Sequence, residues 1–282
     1  MNLVLHPATE KQLNDFVQQP SHALILIGSE GIGKLSIAEG LAQQLLQTDK
    51  PLAEQPYSYI VTPDEKGTIS IEAVRELEQK LKLKVPSPTT PNRLIVIENS
   101  QALGTEAQNA LLKTLEEPPA GTVLILTAPS SQDLLPTIIS RTQQIAVKRP
   151  ATSDLIAYFE QDYADKEVAS TIAMTGGLPG LTQALLTDSE HPLKLAVIKA
   201  RELLSQTTYE RLLYVDELTK DRKLAGDIFF ILQQMAHVSL QTAEGARAQQ
   251  WQKIMTASYE ASEALRANGQ PKLVLDNFLL QI

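Results

Sequence analysis

Cysteine is absent from the 282-residue chain, and its four histidines, His6, His22, His191 and His237, lie far apart in the sequence. A disulfide framework and a cysteine-ligated zinc site are thereby excluded, and a metal site made by this chain alone is not expected. Positive charge is also short: 25 Lys and Arg stand against 33 acidic side chains, for a formal charge of −8. Nonspecific affinity for a phosphate backbone comes largely from Lys and Arg, so any contact with DNA is expected to be local or shared with partners. No apolar run approaches the roughly 18 residues that a membrane-crossing helix needs. The opening segment MNLVLHPATEKQ has no basic stretch followed by an apolar one, so neither a membrane span nor a secretory signal is expected, and a cytoplasmic location is.

What is present is enough length for two or three domains and a full apolar core. Over the first 150 residues, apolar β-rich runs alternate with helical patterns, which reads as a parallel sheet flanked by helices. Strands are expected at 23–27, 94–97 and 123–127, continuous apolar runs of the kind that is covered on both faces. Helices are expected at 35–46, where Ile37, Leu41 and Leu45 share one face, and at 105–117, ended by Pro118 and Pro119. A further helix is expected at 133–139, and the proline-rich stretch 85–92 reads as a loop.

After Pro150 the pattern turns helical. Ser153 is suited to cap a helix carrying Leu155, Ile156 and Phe159, and 166–174 reads as another, ended by Gly176 and Gly177. Helical patterns then run over 195–204, 209–218, 224–240, 246–267 and 273–280. The organisation expected is an α/β domain at 1–149, a small helical domain at 150–188 and a larger helical domain at 189–282.

The segment from Gly28 to Leu35 reads GSEGIGKL, which fits G-x-x-x-x-G-K-[ST] everywhere except the last place. In such a loop the backbone N–H groups cradle phosphates, the lysine reaches the β/γ-phosphates, and the Ser or Thr hydroxyl holds Mg²⁺. Gly28, Gly31, Gly33 and Lys34 are therefore candidate phosphate-binding residues, while Leu35 offers a metal no oxygen. Ser36 lies about 100° further round the helix and is a poor substitute. The plainer alternative is a strand-to-helix turn in which the glycines serve backbone geometry alone. Binding of ATP or ADP without turnover stays open.

A second ATPase element would be an apolar strand ending in Asp-Glu. Here the run LIVI ends in Glu98-Asn99, and the Asn99 amide cannot accept a proton at neutral pH, so a general base is missing. A third feature is Ser140-Arg141-Thr142, where an exposed guanidinium could reach a triphosphate on a neighbouring subunit. Taken alone, that tripeptide is better explained by an ordinary surface or salt-bridged arginine.

The runs PSHALILIGSEGIGK, NALLKTLEEPP at 109–119, SRT at 140–142 and ANGQPKLVLDNFLL near the end occur in one order along the chain. Together they resemble the clamp-loader subunits of bacterial DNA polymerase III, members of the AAA+ class, over nearly the whole sequence. A defective phosphate loop with an intact Ser-Arg-x is similar to the delta-prime type rather than the gamma/tau motor. The resemblance implies a P-loop parallel-sheet domain, a helical lid and a C-terminal helical collar that packs into a five-subunit ring. It also implies partners: gamma/tau-type ATPase subunits and a delta-type subunit, with the sliding clamp and primed DNA reached through the complex. In that reading the chain hydrolyses no ATP of its own, requires no cofactor and no zinc, and offers Arg141 in trans, with Ser140 beside it. An ATP-hydrolysing gamma/tau-like motor is the alternative, and a small-molecule phosphotransferase a third.

Several departures bear on that choice. Many members carry a four-cysteine zinc module, so the interval 48–92 must fold here without metal. The segment TGGLPGLTQALL at 175–186 has no arginine where motor subunits carry a phosphate-sensing one, and TAPSS sets Ala128 and Pro129 near the position of a polar sensor. Thr142 replaces the usual Cys of the tripeptide. His237 and Trp251 read as packing residues rather than ligands. Lys113, Glu116 and Glu117 read as the solvated face of an amphipathic helix, with DNA sensing or subunit coupling as the alternative. The run from Lys66 to Lys84 reads as a helix with i, i+4 charge pairs.

Overall fold

The computed structural model describes residues 3–64, 67–83, 85, 91–187, 191 and 193–282. It separates into two compact units, Met1–Arg149 and Pro150–Ile282. The loop expected at 85–92 lies largely outside the described residues, as does the junction expected between 188 and 189.

The first unit runs α1 (Pro7–Gln18), β1 (Ala23–Ile27), α2 (Lys34–Leu46), β2 (Tyr59–Val61), α3 (Ile71–Leu81), β3 (Arg93–Ile97), α4 (Thr105–Glu116), β4 (Thr122–Ala128), α5 (Pro136–Ile139) and β5 (Gln143–Ala146). The strands form one sheet in the order β2-β3-β4-β1-β5. Every ladder is parallel: Ile27 faces Ala128 across β1 and β4, Ile97 faces Leu126 across β3 and β4, and Leu26 faces Ile145 across β1 and β5. Parallel neighbours need crossovers, which is why helices separate the strands in sequence.

Burial follows the alternation of the strands. Ala23, Ile25, Ile95, Ile97, Leu124 and Leu126 form one core with Val74, Leu77 and Leu81 of α3, Ala107, Leu111 and Leu115 of α4, and Ile138 of α5. The intervening Leu24, Leu26, Leu94 and Val96 are equally buried and point the other way. Helix α2 packs on β1, β3 and β4 through Ile37, Leu41 and Leu45. Truncating a residue such as Leu111, which has no exposed surface, to alanine is expected to cost about 2–5 kcal/mol.

The interval without a zinc module is tied by a side chain instead. Arg93, the first residue of β3, is buried and donates from Nη1 to the Leu81 carbonyl and from Nη2 to the Leu83 carbonyl, both at 2.5 Å. These are carbonyls at the end of α3, which the helix itself leaves unpaired. At the other end, Ser70 caps α3 by accepting the Ala73 N–H at 3.2 Å.

Three local expectations need correction. The helix expected at 133–139 is a 3-10 turn at Ser131–Asp133, an extended Leu134 and a helix only from Pro136. Proline fixes φ, lacks an N–H and biases its predecessor away from helix, so it starts the helix rather than sitting inside one. Ser153 is not a cap: the cap position is Ala151, and the Ser153 hydroxyl donates to Asp154 Oδ1 at 3.3 Å. The helix expected at 209–218 is two, described below.

The second unit is helical: α6 (Thr152–Phe159), α7 (Asp165–Thr175), α8 (Pro179–Leu186), α9 (Lys194–Ser205), α10 (Thr208–Leu212), α11 (Val215–Lys220), α12 (Arg222–Ser239), α13 (Gly245–Arg266) and α14 (Pro271–Gln281). Its centre is α12, which packs against α7, α9, α11 and α13. Phe229 of α12 meets Phe278 of α14 edge to face, with ring centroids 4.7 Å apart. Between α10 and α11, Leu213 and Tyr214 close tight turns onto the Glu210 and Arg211 carbonyls, and the Arg211 side chain turns inward to the Leu203 carbonyl at 2.7 Å. Helix α7 ends at Gly176 and Gly177, both left-handed at φ 66° and 72°. His237 is exposed on the last turn of α12 rather than packed, and Trp251 is half-buried. None of the described helices is long and apolar enough to cross a membrane.

Candidate phosphate loop and arginine site

The loop between β1 and α2 is held at the carboxyl ends of the central strands. Val147 N–H donates to the Ile27 carbonyl at 2.7 Å, and Gly28 N–H donates to the Ala128 carbonyl at 3.1 Å. A Cβ on Gly28 would stand 3.0 Å from the Val147 carbonyl oxygen, tighter than an ordinary contact. Gly31 at φ 75° and Gly33 at φ 89° adopt left-handed backbone that only glycine enters freely.

Lys34 is the first residue of α2 and is buried. Its ammonium donates to the Gly28 carbonyl at 2.6 Å and the Ser29 carbonyl at 3.1 Å, so the side chain folds back over its own loop. Burial lowers its pKa to about 8, against the opposing influence of Glu30 and Glu98. Glu98, just past β3, is pushed upward by burial, while the Lys34 charge pulls it down and Glu39 adds to the rise.

The residues fit a phosphate better than a metal. An ammonium, left-handed glycines and the N-terminus of a 13-residue helix supply donors and positive potential for an anion. Leu35, next to Lys34, is a half-buried hydrocarbon with no oxygen to offer Mg²⁺, and Ser36 is exposed. Among the described residues, no group of three or more His, Cys, Asp or Glu could hold a metal ion.

Asn99 follows Glu98 in left-handed backbone, φ 52° and ψ 54°. Its N–H donates to Thr127 Oγ1 at 2.9 Å. Thr127 is buried on β4 and is the polar side chain at this strand end, next to Ala128. The available signal was a lone threonine closing the aliphatic run VLIL.

Ser140 and Arg141 follow α5 and engage α4 and α5, not the phosphate loop. Arg141 Nη1 donates to the Thr137 carbonyl at 3.0 Å and to Ser140 Oγ at 3.4 Å, and Nη2 stands 2.7 Å from Glu116 Oε1 on α4. Thr142 is buried, its hydroxyl donating to the Ile138 carbonyl at 3.1 Å. Lys113 and Glu116 on α4, and Glu117 just past its end, are all exposed, as the amphipathic pattern implied.

Residues 6–151, a little over half of the chain, match the family described as DNA polymerase III, delta subunit. The chain belongs to that family. Among relatives of this delta-subunit family member, DNA polymerase III subunit delta' of Pseudomonas aeruginosa is 30% identical over 210 residues, covering 67% of this chain and 63% of the relative. Subunit delta' of Haemophilus influenzae is 28% identical over 183 residues, covering 59% and 55%. The chain thus spans less than two thirds of the length of either curated relative. A DNA polymerase III gamma subunit-related protein from Thermotoga maritima shares its fold, with a TM-score of 0.52 at 17% identity over 96% of this chain and 97% of that one. The fold is accordingly AAA+, a P-loop parallel-sheet domain followed by helices.

Proposed function

We propose that this chain is a non-hydrolysing, delta-prime-like stator of a DNA polymerase III clamp loader, lending Arg141 to ATP held by an adjacent gamma/tau-type subunit while the sliding clamp is loaded onto primed DNA. The observation that carries the reading is an asymmetry between the two sites. At the phosphate loop, Leu35 and Asn99 stand where a metal-holding hydroxyl and a base are required, and Asn99 is fixed through Thr127. At the other site the Arg141 side chain is 36% exposed and held by a surface ion pair. The absence of an arginine over 175–186 supports the same reading.

The partners in this proposal are gamma/tau-type ATPase subunits and a delta-type subunit in a hetero-pentamer, with clamp and DNA reached through the complex, in the cytoplasm. No cofactor is required. Any ATP or ADP at Lys34 is bound without turnover, and zinc has no role, since the chain has no cysteine to ligate it. The competing reading is a gamma/tau-like motor, favoured by the retained glycine geometry and Lys34. ATP turnover by the purified chain at saturating Mg-ATP separates them. The stator reading expects no hydrolysis above background, and hydrolysis abolished by Lys34→Ala would overturn it.

A further inference from the structure

Arg141 is braced by α4 at both ends of its segment. The Gln108 side chain accepts the Leu135 N–H at 2.8 Å and donates to the Leu103 carbonyl at 3.0 Å, fixing the residue that precedes α5. About two helical turns further along α4, the Glu116 carboxylate meets the guanidinium at 2.7 Å. The helix that carries both is anchored by Ala107, Leu111 and Leu115, all buried in the core. Glu116 is also placed against local preference: it is the last residue of α4, where a negative charge opposes the helix dipole. A carboxylate in that place does not serve its own helix.

We propose that Glu116 is a positioning residue for Arg141, holding the guanidinium in the direction from which it meets a neighbouring subunit's triphosphate. This rests on the reading of Arg141 as a residue acting in trans. An arginine has four rotatable side-chain bonds, and a freely rotating one would present its planar fork correctly only part of the time. Glu116 and the Thr137 carbonyl hold that fork from two sides before the subunits meet, so its ordering precedes the encounter. With side-chain exposures of 36% and 51%, the pair adds little to the stability of the fold, which leaves orientation as its contribution.

The test is steady-state ATP hydrolysis by the complex reconstituted from this chain, gamma/tau-type subunits and a delta-type subunit, with clamp and primed DNA present. Glu116→Ala is expected to lower kcat about three- to five-fold, the range a weak surface pair can contribute, with KM for ATP unchanged. Glu116→Gln keeps an acceptor oxygen for the guanidinium and is expected to recover most of that loss. In an Arg141→Ala background, Glu116→Ala is expected to do nothing more. An unchanged or higher kcat for Glu116→Ala, or an equal loss when Arg141 is already absent, would overturn the positioning role alone. No effect of Arg141→Ala itself would instead overturn the reading on which the role rests.

Discussion

Asn99 N–H donates to Thr127 Oγ1 at 2.9 Å, joining the ends of β3 and β4. The bond fixes an amide side chain in left-handed backbone at φ 52°. Thr127→Val keeps the shape and removes the acceptor, leaving the N–H without its partner, and is expected to cost about 1–3 kcal/mol. Asn99→Ala is expected to cost about 1 kcal/mol because alanine resists left-handed backbone, while Asn99→Gly stays within a few tenths of wild type. Urea unfolding of the three variants checks both halves, and a Thr127→Val midpoint equal to wild type would count against the bond.

Lys34 gives a pH dependence whose sign is fixed. Burial holds its pKa at about 8 in the folded chain, below the 10.5 of an ordinary lysine. Between those values the unfolded chain binds more protons than the folded one, so the stability attributable to Lys34 rises with pH across the window and is flat below it. Relative to Lys34→Met, wild type is expected to gain up to ~3 kcal/mol from pH 8 to 10.5. Titration of the isotopically methylated lysine by NMR gives the same quantity directly. A midpoint near that of free lysine would show that the ammonium is not buried against its loop.

Gly176 sets how α7 ends against α12. It has φ 66°, and a Cβ built there falls 2.6 Å from Gln234 Cβ and 2.8 Å from the Gln234 carbonyl oxygen. Backbone strain and overlap act together, so Gly176→Ala is expected to destabilise the unit Pro150–Ile282 by at least ~2 kcal/mol. Thermal unfolding measures it. A melting temperature unchanged by the substitution would mean that the two helices separate freely.

What could be read from the sequence follows from how each element is specified. Strands β1, β3 and β4 and helices α2 and α4 are long, apolar in one period and bounded by glycine or proline, so their own residues announce them. The edge strands β2 and β5 escaped notice because one has only three residues and the other exposes Gln143, Gln144 and Ala146. Pro136 and the inward turn of Arg211 broke helices that periodicity alone ran together. At the sites, the glycines and Lys34 carry a spacing that local geometry demands. The partners of Thr127, Glu116 and Arg93 could not be read because each is distant in sequence: Asn99, Arg141 and the end of α3.

If this chain contributes its arginine to a neighbour's ATP, the ATPase rate of the reconstituted complex carrying Arg141→Ala reports it. Loss of an arginine that stabilises phosphoryl-transfer charge predicts a fall of ~10³-fold or more. Assembly, read by size-exclusion chromatography, is expected to stay intact, because the residue is half-exposed and its ion pair lies at the surface. A complex that assembles with Arg141→Ala and hydrolyses ATP at the wild-type rate would mean that Arg141 does not act on a neighbour's triphosphate.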